Sequence, residues 1–253
     1  MLLTKFYPSQ KIAPDKLAHL SKTQQDELLS VLNKYATVFS EKPGLCTAVQ
    51  HEIQLLPGFT PKRMRAYRIP QNYKAEVDRQ VSELLRHGFI EPSTSPQASS
   101  IVVVLKQLDA DGNRKIRLAI DYRWVNKYSE PTVPNLCDMD ELIQAVGGSH
   151  YISLFDANSG YHQTLIRESD RWLSSFVCDL GQFQWLRTPF GMRNSGTTFV
   201  RALQNALQHV RSFTKSYVDD MAVHSNSWNQ HLFDVERYLN AIRESGFTLG
   251  IGK

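Results

Sequence analysis

The sequence predicts an α+β fold, on three observations. Apolar residues recur at helical spacing in several separate stretches, which asks for amphipathic helices. β-Prone runs are joined by short turn-forming segments in at least two places, which asks for antiparallel hairpins. Strands and helices mix without strict alternation, so a parallel doubly wound sheet is not expected.

Residues 1–20 show no firm periodicity and read as a linker. Leu28, Leu29, Leu32, Tyr35 and Phe39 mark a helix over 23–39, with Ser21 or Thr23 as its N-cap and Pro43-Gly44 as its stop. A short strand is expected over 51–56, closed by Pro57-Gly58. Behind it Lys62, Arg63, Arg65 and Arg68 form the densest basic run of the chain. Residues 72–87 form an amphipathic helix with a stripe of Val77, Val81, Leu84 and Leu85, and Gly88 takes the C′ position. After a turn-rich connector over 92–96 come a strand over 101–105, a hairpin turn over 109–113 and a returning strand over 115–121. Period two puts Ile116, Leu118 and Ile120 on one face and Lys115, Arg117, Ala119 and Asp121 on the other. A short helix over 139–146 leads into the strand Tyr151–Asp156, and 159–163 is a helical turn. A second hairpin is expected over 171–177 and 183–186 around Leu180-Gly181, and Pro189-Phe190-Gly191 is a sharp loop. A helix over 198–210 buries Phe199, Leu203, Leu207 and Val210. The runs 212–217 and 221–223 form the next hairpin. A helix capped at Asn226 or Ser227 then carries Leu232, Val235, Leu239 and Ile242 to a stop at Gly246, and a last strand is expected over 247–251.

Composition bounds the function. The 253 residues make one large domain or two small ones, and a hydrophobic content of 42% is ample for a core. The formal net charge of +4 suits a nucleic-acid binder only if the positive charge gathers on one face. The basic run at 62–68 reads equally well as a solvated extended face. Cys46, Cys137 and Cys178 lie far apart without paired ligand spacing, which argues against zinc and for reduced thiols of an intracellular protein. No apolar run approaches the roughly 18 residues of a membrane span, and Lys5 interrupts a start too short for a secretory signal. The expectation is a soluble cytoplasmic chain with no membrane contact. Its histidines show no helix-face pair beside a carboxylate, so they are read as structural or surface groups.

The chemistry concentrates at Tyr217-Val218-Asp219-Asp220, an acidic pair between two β-prone runs. Adjacent carboxylates in a tight turn repel unless a cation sits between them. The strand Tyr151–Asp156 has the same form, apolar residues ending on an acid. If the two strand ends meet, three hard oxygen ligands converge, a set that suits Mg²⁺ together with substrate phosphates. Arg117, on the polar face of its hairpin, could meet a phosphate; taken alone it reads more simply as an exposed arginine paired with Asp121 or with solvent.

Five ordered blocks carry a specific resemblance. Gly88-Phe-Ile-Glu-Pro-Ser-Thr-Ser-Pro96, Arg117-Leu-Ala-Ile-Asp-Tyr-Arg-Trp-Val-Asn126, Phe155-Asp156-Ala-Asn-Ser-Gly-Tyr-His-Gln163, Arg187-Thr-Pro-Phe-Gly-Met-Arg-Asn194 and Tyr217-Val-Asp-Asp220 are similar to those of a reverse transcriptase of the gypsy-like long-terminal-repeat retrotransposons. His51-Glu-Ile-Gln-Leu agrees with them upstream, and the similarity runs from about residue 50 to the C-terminus. The resemblance implies a right-hand polymerase fold with an antiparallel palm sheet. Its division would be 1–45 linker and N-terminal helix, 46–130 fingers, 131–163 palm, 164–193 fingers again and 194–253 palm, ending before a thumb.

It implies an RNA-directed DNA polymerase that joins a dNTP to a primer 3′-hydroxyl on an RNA or DNA template, using two Mg²⁺ ions with Mn²⁺ as a substitute. Asp156 and Asp219 match the principal metal ligands and Asp220 the supporting one. Arg117 matches the fingers arginine on the triphosphate. Lys106 matches the fingers lysine, although the loop over 107–114 departs from the family's lysine-rich pattern. Tyr161 matches the aromatic that stacks under the deoxyribose and excludes a 2′-hydroxyl, and Phe190 and Gly191 match the loop lining the nucleotide pocket. Tyr217 and Val218 would lie near the primer terminus, with Arg63 and Arg65 on the template–primer. Ala157-Asn158 stands where the family commonly has Leu-Lys, a neighbour change that leaves the ligand intact. Implied partners are a template–primer, dNTP, a downstream thumb and ribonuclease H, and a second copy in a dimer, within the cytoplasm or a virus-like particle. Two rival readings stand beside this one: a weak or inactive nucleic-acid-binding remnant of a truncated or domesticated element, and a structural subunit that associates through its N-terminal helix.

Overall fold

The computed structural model describes residue 8 and residues 11–108, 114–133 and 139–250. In chain order the elements are α1 (Lys22–Lys34), β1 (Cys46–His51), α2 (Gln71–Arg86), β2 (Ile90–Pro92), β3 (Ser99–Leu108), β4 (Arg114–Ile120), α3 (Arg123–Tyr128), α4 (Met139–Gly147), β5 (Tyr151–Asp156), β6 (Thr164–Ile166), β7 (Phe176–Cys178), β8 (Gly181–Trp185), α5 (Ser195–Ala206), β9 (Thr214–Tyr217), β10 (Asp220–Ser225) and α6 (Trp228–Ser245). The chain divides into two compact units. The first comprises Met1–Val49, Pro134–Gln163 and Phe199–Lys253, the second Gln50–Val133 and Thr164–Thr198.

The first unit is built on a three-stranded antiparallel sheet in the order β5-β10-β9. Helix α6 packs on β10 and β5, and α1 packs on α6. The spacing of Val235, Tyr238, Leu239 and Ile242 puts one apolar stripe of α6 against the sheet, where all four are fully buried. They join Met221 and Val223 of β10, Phe199 and Leu203 of α5, and Leu28 and Leu32 of α1 in a single core. Each such side chain contributes about 1.5–3 kcal/mol by leaving water. Helix α1 is started by a capping box in which Ser21 and Gln24 exchange side-chain and backbone hydrogen bonds. Helix α6 ends at Gly246 with φ +78°, where a Cβ would lie 2.2 Å from Leu45 O, so only glycine fits.

The second unit carries a five-stranded sheet in the order β2-β8-β7-β3-β4. Strands β3 and β7 run parallel and the other neighbours antiparallel. Val77 and Val81 of α2 enter its core beside Ile101, Ile116, Phe176 and Trp185. Tyr122, fully buried, satisfies its hydroxyl by donating to Ser174 O at 2.8 Å.

Several sequence expectations are corrected. The strand expected over 51–56 is β1, Cys46–His51; beyond it the Ile53 N–H donates to the Asp170 side chain and leaves the ladder. Leu85 is exposed, so the stripe of α2 is narrower than expected. The segment 168–174 is a 3₁₀ helix rather than a strand, because local bonds such as Asp170 N–H to Arg167 O and Ser174 Oγ to Arg171 O hold it in turns. Helix α1 stops at Lys34 and α5 at Ala206, each followed by a short 3₁₀ segment. Near the C-terminus, Leu249 forms isolated bridges to Phe39 and Ala157 and no strand among the described residues. Cys46 and Cys178 are buried free thiols. The expected turn at 109–113 and Cys137 lie outside the described residues, as does residue 251. Among the described residues no helix is long and apolar enough to cross a membrane.

Candidate active site

The register of the first unit's sheet brings the three acids to one end. Asp220, the first residue of β10, faces Asp156, the last of β5, across the antiparallel ladder. On the other side Asp220 pairs with Tyr217, so Val218 and Asp219 form a two-residue hairpin turn. Val218 has φ +55°, a conformation costly for a β-branched residue, and the turn is held in it. The Ala157 N–H donates to Asp219 O at 3.1 Å, tying the turn to the residue after Asp156.

Asp219 and Asp220 are exposed and Asp156 is half-buried. Like charges facing each other across a ladder destabilise it. Asp219 and Asp220 enter no ion pair among the described residues. No three His, Cys, Asp or Glu side chains among the described residues are gathered into a ready-made metal cage. The donor set nevertheless fits Mg²⁺, a hard cation that takes one or two carboxylates and completes its shell with water and phosphate oxygens.

Tyr161 lies beside this end, on the 3₁₀ turn Gly160–Gln163. Burial, then the Asp219 charge, push its hydroxyl above the ordinary tyrosine range. Its ring stands 5.9 Å from that of Phe199. Gly160 is pressed under the same ring, where a Cβ would come within 2.7 Å of it. The turn has no room for a larger residue.

In the second unit Arg117 is exposed on β4, opposite Val104, and its guanidinium lies 4.8 Å from the centre of the Phe190 ring. It is not paired with Asp121: Arg123 takes both oxygens of that carboxylate and holds it down to about 2. Gly191 has φ +84°, as its loop requires. Asn126 clamps the same loop, its Nδ2 donating to Gly191 O at 2.8 Å and its Oδ1 accepting from the Arg193 N–H at 2.7 Å. Arg63 and Arg65 have exposed side chains on a backbone anchored by Met64 N–H to Ala98 O and by Ser100 Oγ to Arg65 O. The Lys106 side chain lies outside the described residues.

Sequence reasoning missed two further features. Asn126 was visible as the end of a block but without a task, since its partners are distant in sequence. A cleft of about 380 Å³ also opens beside β9, lined by Gln204, Arg211, Ser212, Thr214, Lys215 and Ser216. Arg211 and Lys215 enter no ion pair among the described residues. No motif marks these two; only the fold sets Lys215 on the edge strand that leads into the Tyr217 turn and Arg211 just before it.

The sequence profile described as "Reverse transcriptase (RNA-dependent DNA polymerase)" matches residues 106–253. The Retrovirus-related Pol polyprotein from transposon 297 of Drosophila melanogaster is 30% identical over 242 residues, 94% of this chain and 23% of its own length. That from transposon gypsy of the same organism is 31% identical over 236 residues, 91% of this chain and 22% of its own. The chain thus spans about a quarter of the length of these curated relatives. In fold it is similar to a foamy viral protease-reverse transcriptase solved with an RNA/DNA hybrid, with TM-score 0.83 and 22% identity over 97% of this chain and 32% of that one.

Proposed function

We propose, from the premise that the chain belongs to the reverse transcriptase (RNA-dependent DNA polymerase) family, that it is the polymerase portion of a retrotransposon polyprotein and extends a primer on an RNA or DNA template. The observation that carries the reading is the β5–β10 register, which sets Asp156 opposite Asp220 with Asp219 in the strained turn between β9 and β10. In this reading the unit with the three acids is the palm and the other the fingers. Asp156 and Asp219 hold divalent metal, two Mg²⁺ ions, and Asp220 supports them. When bound, such ions supply Lewis acidity toward the primer hydroxyl and neutralise charge on the phosphates.

The chain's own groups do the rest. Tyr161, on the turn that Gly160 lets pack under Phe199, is the aromatic that in this reading stacks under the deoxyribose and excludes a 2′-hydroxyl. Arg117, kept in place by its stack on Phe190, offers a fork of donors to triphosphate oxygens. The Asn126 clamp holds the Phe190-Gly191 loop, which in this reading lines the nucleotide site. Arg63, Arg65, Arg211 and Lys215 bind template–primer phosphates. The remaining partners are dNTP and the rest of the polyprotein.

Primer extension on an RNA template with Mg²⁺ tests the reading. Incorporation by the wild type and its loss in Asp219→Asn are expected. Incorporation that survives the substitution contradicts the assignment, and salt-dependent duplex binding without incorporation by the wild type favours a binding remnant.

A further inference from the structure

The loop that leaves Asp156 is held from beneath by one buried side chain. Gln163 is fully buried and uses both ends of its amide. Its Nε2 donates to Asn158 O and to Thr248 O, each at 2.8 Å, and its Oε1 accepts from the Thr248 N–H at 2.7 Å. Asn158 extends the tie by donating from Nδ2 to Ser40 O and Glu41 O, both at 2.7 Å. The Gly250 N–H closes the other side on Asp156 O at 2.9 Å. The segment 157–163, which begins beside one acid and carries Tyr161, is therefore tied to Thr248 by the Gln163 side chain, beside the backbone contacts Asn158 N–H to Thr248 O and the Ala157–Leu249 bridge.

We infer that Gln163 is a positioning residue for nucleotide sugar selection: by latching the 157–163 loop to Thr248 it fixes the place of the Tyr161 ring beside Asp219. The inference rests on the polymerase reading. A buried glutamine could satisfy its neighbours and do nothing more. Here every bond of the amide runs to the loop of Tyr161 or to Thr248, which braces it, and Gly160 lets that turn pack directly under Phe199, where a Cβ would come within 2.7 Å of the ring. Without the amide, the Thr248 N–H and Asn158 O lose the buried partner it supplies, Thr248 O keeps only the Asn158 N–H, and the loop that carries Tyr161 is free to relax. Asn158 is the outer anchor of the same latch.

The test compares wild type, Gln163→Met and Asn158→Ala in two measurements. Hydrogen exchange reads the latch; kcat/KM for a dNTP against the rNTP of the same base reads selection. Gln163→Met is expected to speed exchange in 157–163 and 246–250 while the interior of α6 stays protected. It should raise KM for dNTP more than it lowers kcat and reduce the sugar preference by about tenfold. Asn158→Ala, which leaves Gln163 in place, should do the same to a smaller degree, and it carries the test if Gln163→Met does not fold. A folded Gln163→Met with wild-type sugar preference overturns the inference whatever its exchange. Equal losses on dNTP and rNTP, with faster exchange throughout α6, also overturn it, since that is a stability effect. A wild type that extends no primer removes the polymerase reading itself. A selective wild type with equally selective variants removes only the role of Gln163.

Discussion

The two ends of the β5–β10–β9 sheet treat acids in opposite ways. At the Tyr151–Ser225 end, Asp234 of α6 is 3% exposed, and both its oxygens have donors, Ser225 Oγ and Gln230 Nε2, each at 2.8 Å. His231 joins this network, its Nε2 2.9 Å from Ser153 Oγ and its Nδ1 3.3 Å from Ser225 Oγ. Because Ser225 gives its proton to Asp234, it can only accept from His231, which assigns the neutral Nδ1–H tautomer. At the Asp156–Asp220 end the acids lie at or near the surface, and Asp219 and Asp220 take no ion pair among the described residues. A buried acid must be satisfied from within. Asp219 and Asp220, exposed at a strained turn, leave their oxygens to water or to whatever reaches the surface. The difference separates a carboxylate satisfied inside the fold from two that the fold leaves at the surface.

Substitution at each end should give effects of opposite kind. Asp219→Asn is expected to lower primer extension by about a thousandfold or more while leaving the denaturant midpoint at or slightly above that of wild type, because one of the crowded charges is gone. Asp234→Ala should cost about 2–4 kcal/mol in urea unfolding, as Ser225 and Gln230 lose their acceptor, with extension per folded molecule retained. A destabilised Asp219→Asn or an inactive but stable Asp234→Ala would erase the contrast.

The buried end should also be pH-sensitive. Burial holds the His231 and His224 imidazoles below the free value, with Lys215 adding to the effect at His224 and Asp234 opposing it at both. As pH falls through about 6.5 the unfolded chain protonates first. Stability present above that pH is therefore lost as pH falls toward the folded values, and unfolding midpoints from pH 7.5 to 5.5 should show a drop that shrinks in His231→Gln. At the exposed end, Val218→Gly should raise stability by up to about 1 kcal/mol by relieving the positive φ, measured in the same urea assay. The smallest effect is expected at the edge strand, where Lys215→Ala should reduce the slope of log affinity against log salt for duplex binding by about 1.

Much of this was legible in the residues. Ser21, offered beside Thr23 as an N-cap, Gly88 and Gly246 marked helix ends because caps are local chemistry. The Tyr217 turn and the strand Tyr151–Asp156 were readable because a hairpin turn and a short apolar run ending on an acid announce themselves over a few residues. That their acids face each other was only conditional, since register is a long-range property. Strand boundaries failed where a side chain competed for the backbone, as Asp170 does for the Ile53 N–H. The Arg117–Phe190 stack, the Asn126 clamp and the Gln163 latch joined segments too distant for any local pattern to pair. For Arg117 the local candidate, Asp121, was already taken by Arg123.

The most direct test of the contrast is where a divalent cation binds. Mn²⁺ titrated into ¹⁵N-labelled protein should broaden the amide signals of Asp156, Ala157, Asp219 and Asp220 first, spare Ser225 and Asp234, and lose that selectivity in Asp219→Asn. Broadening centred on Asp234, or unchanged at the turn in Asp219→Asn, would contradict the assignment of the exposed acids as the metal-binding end.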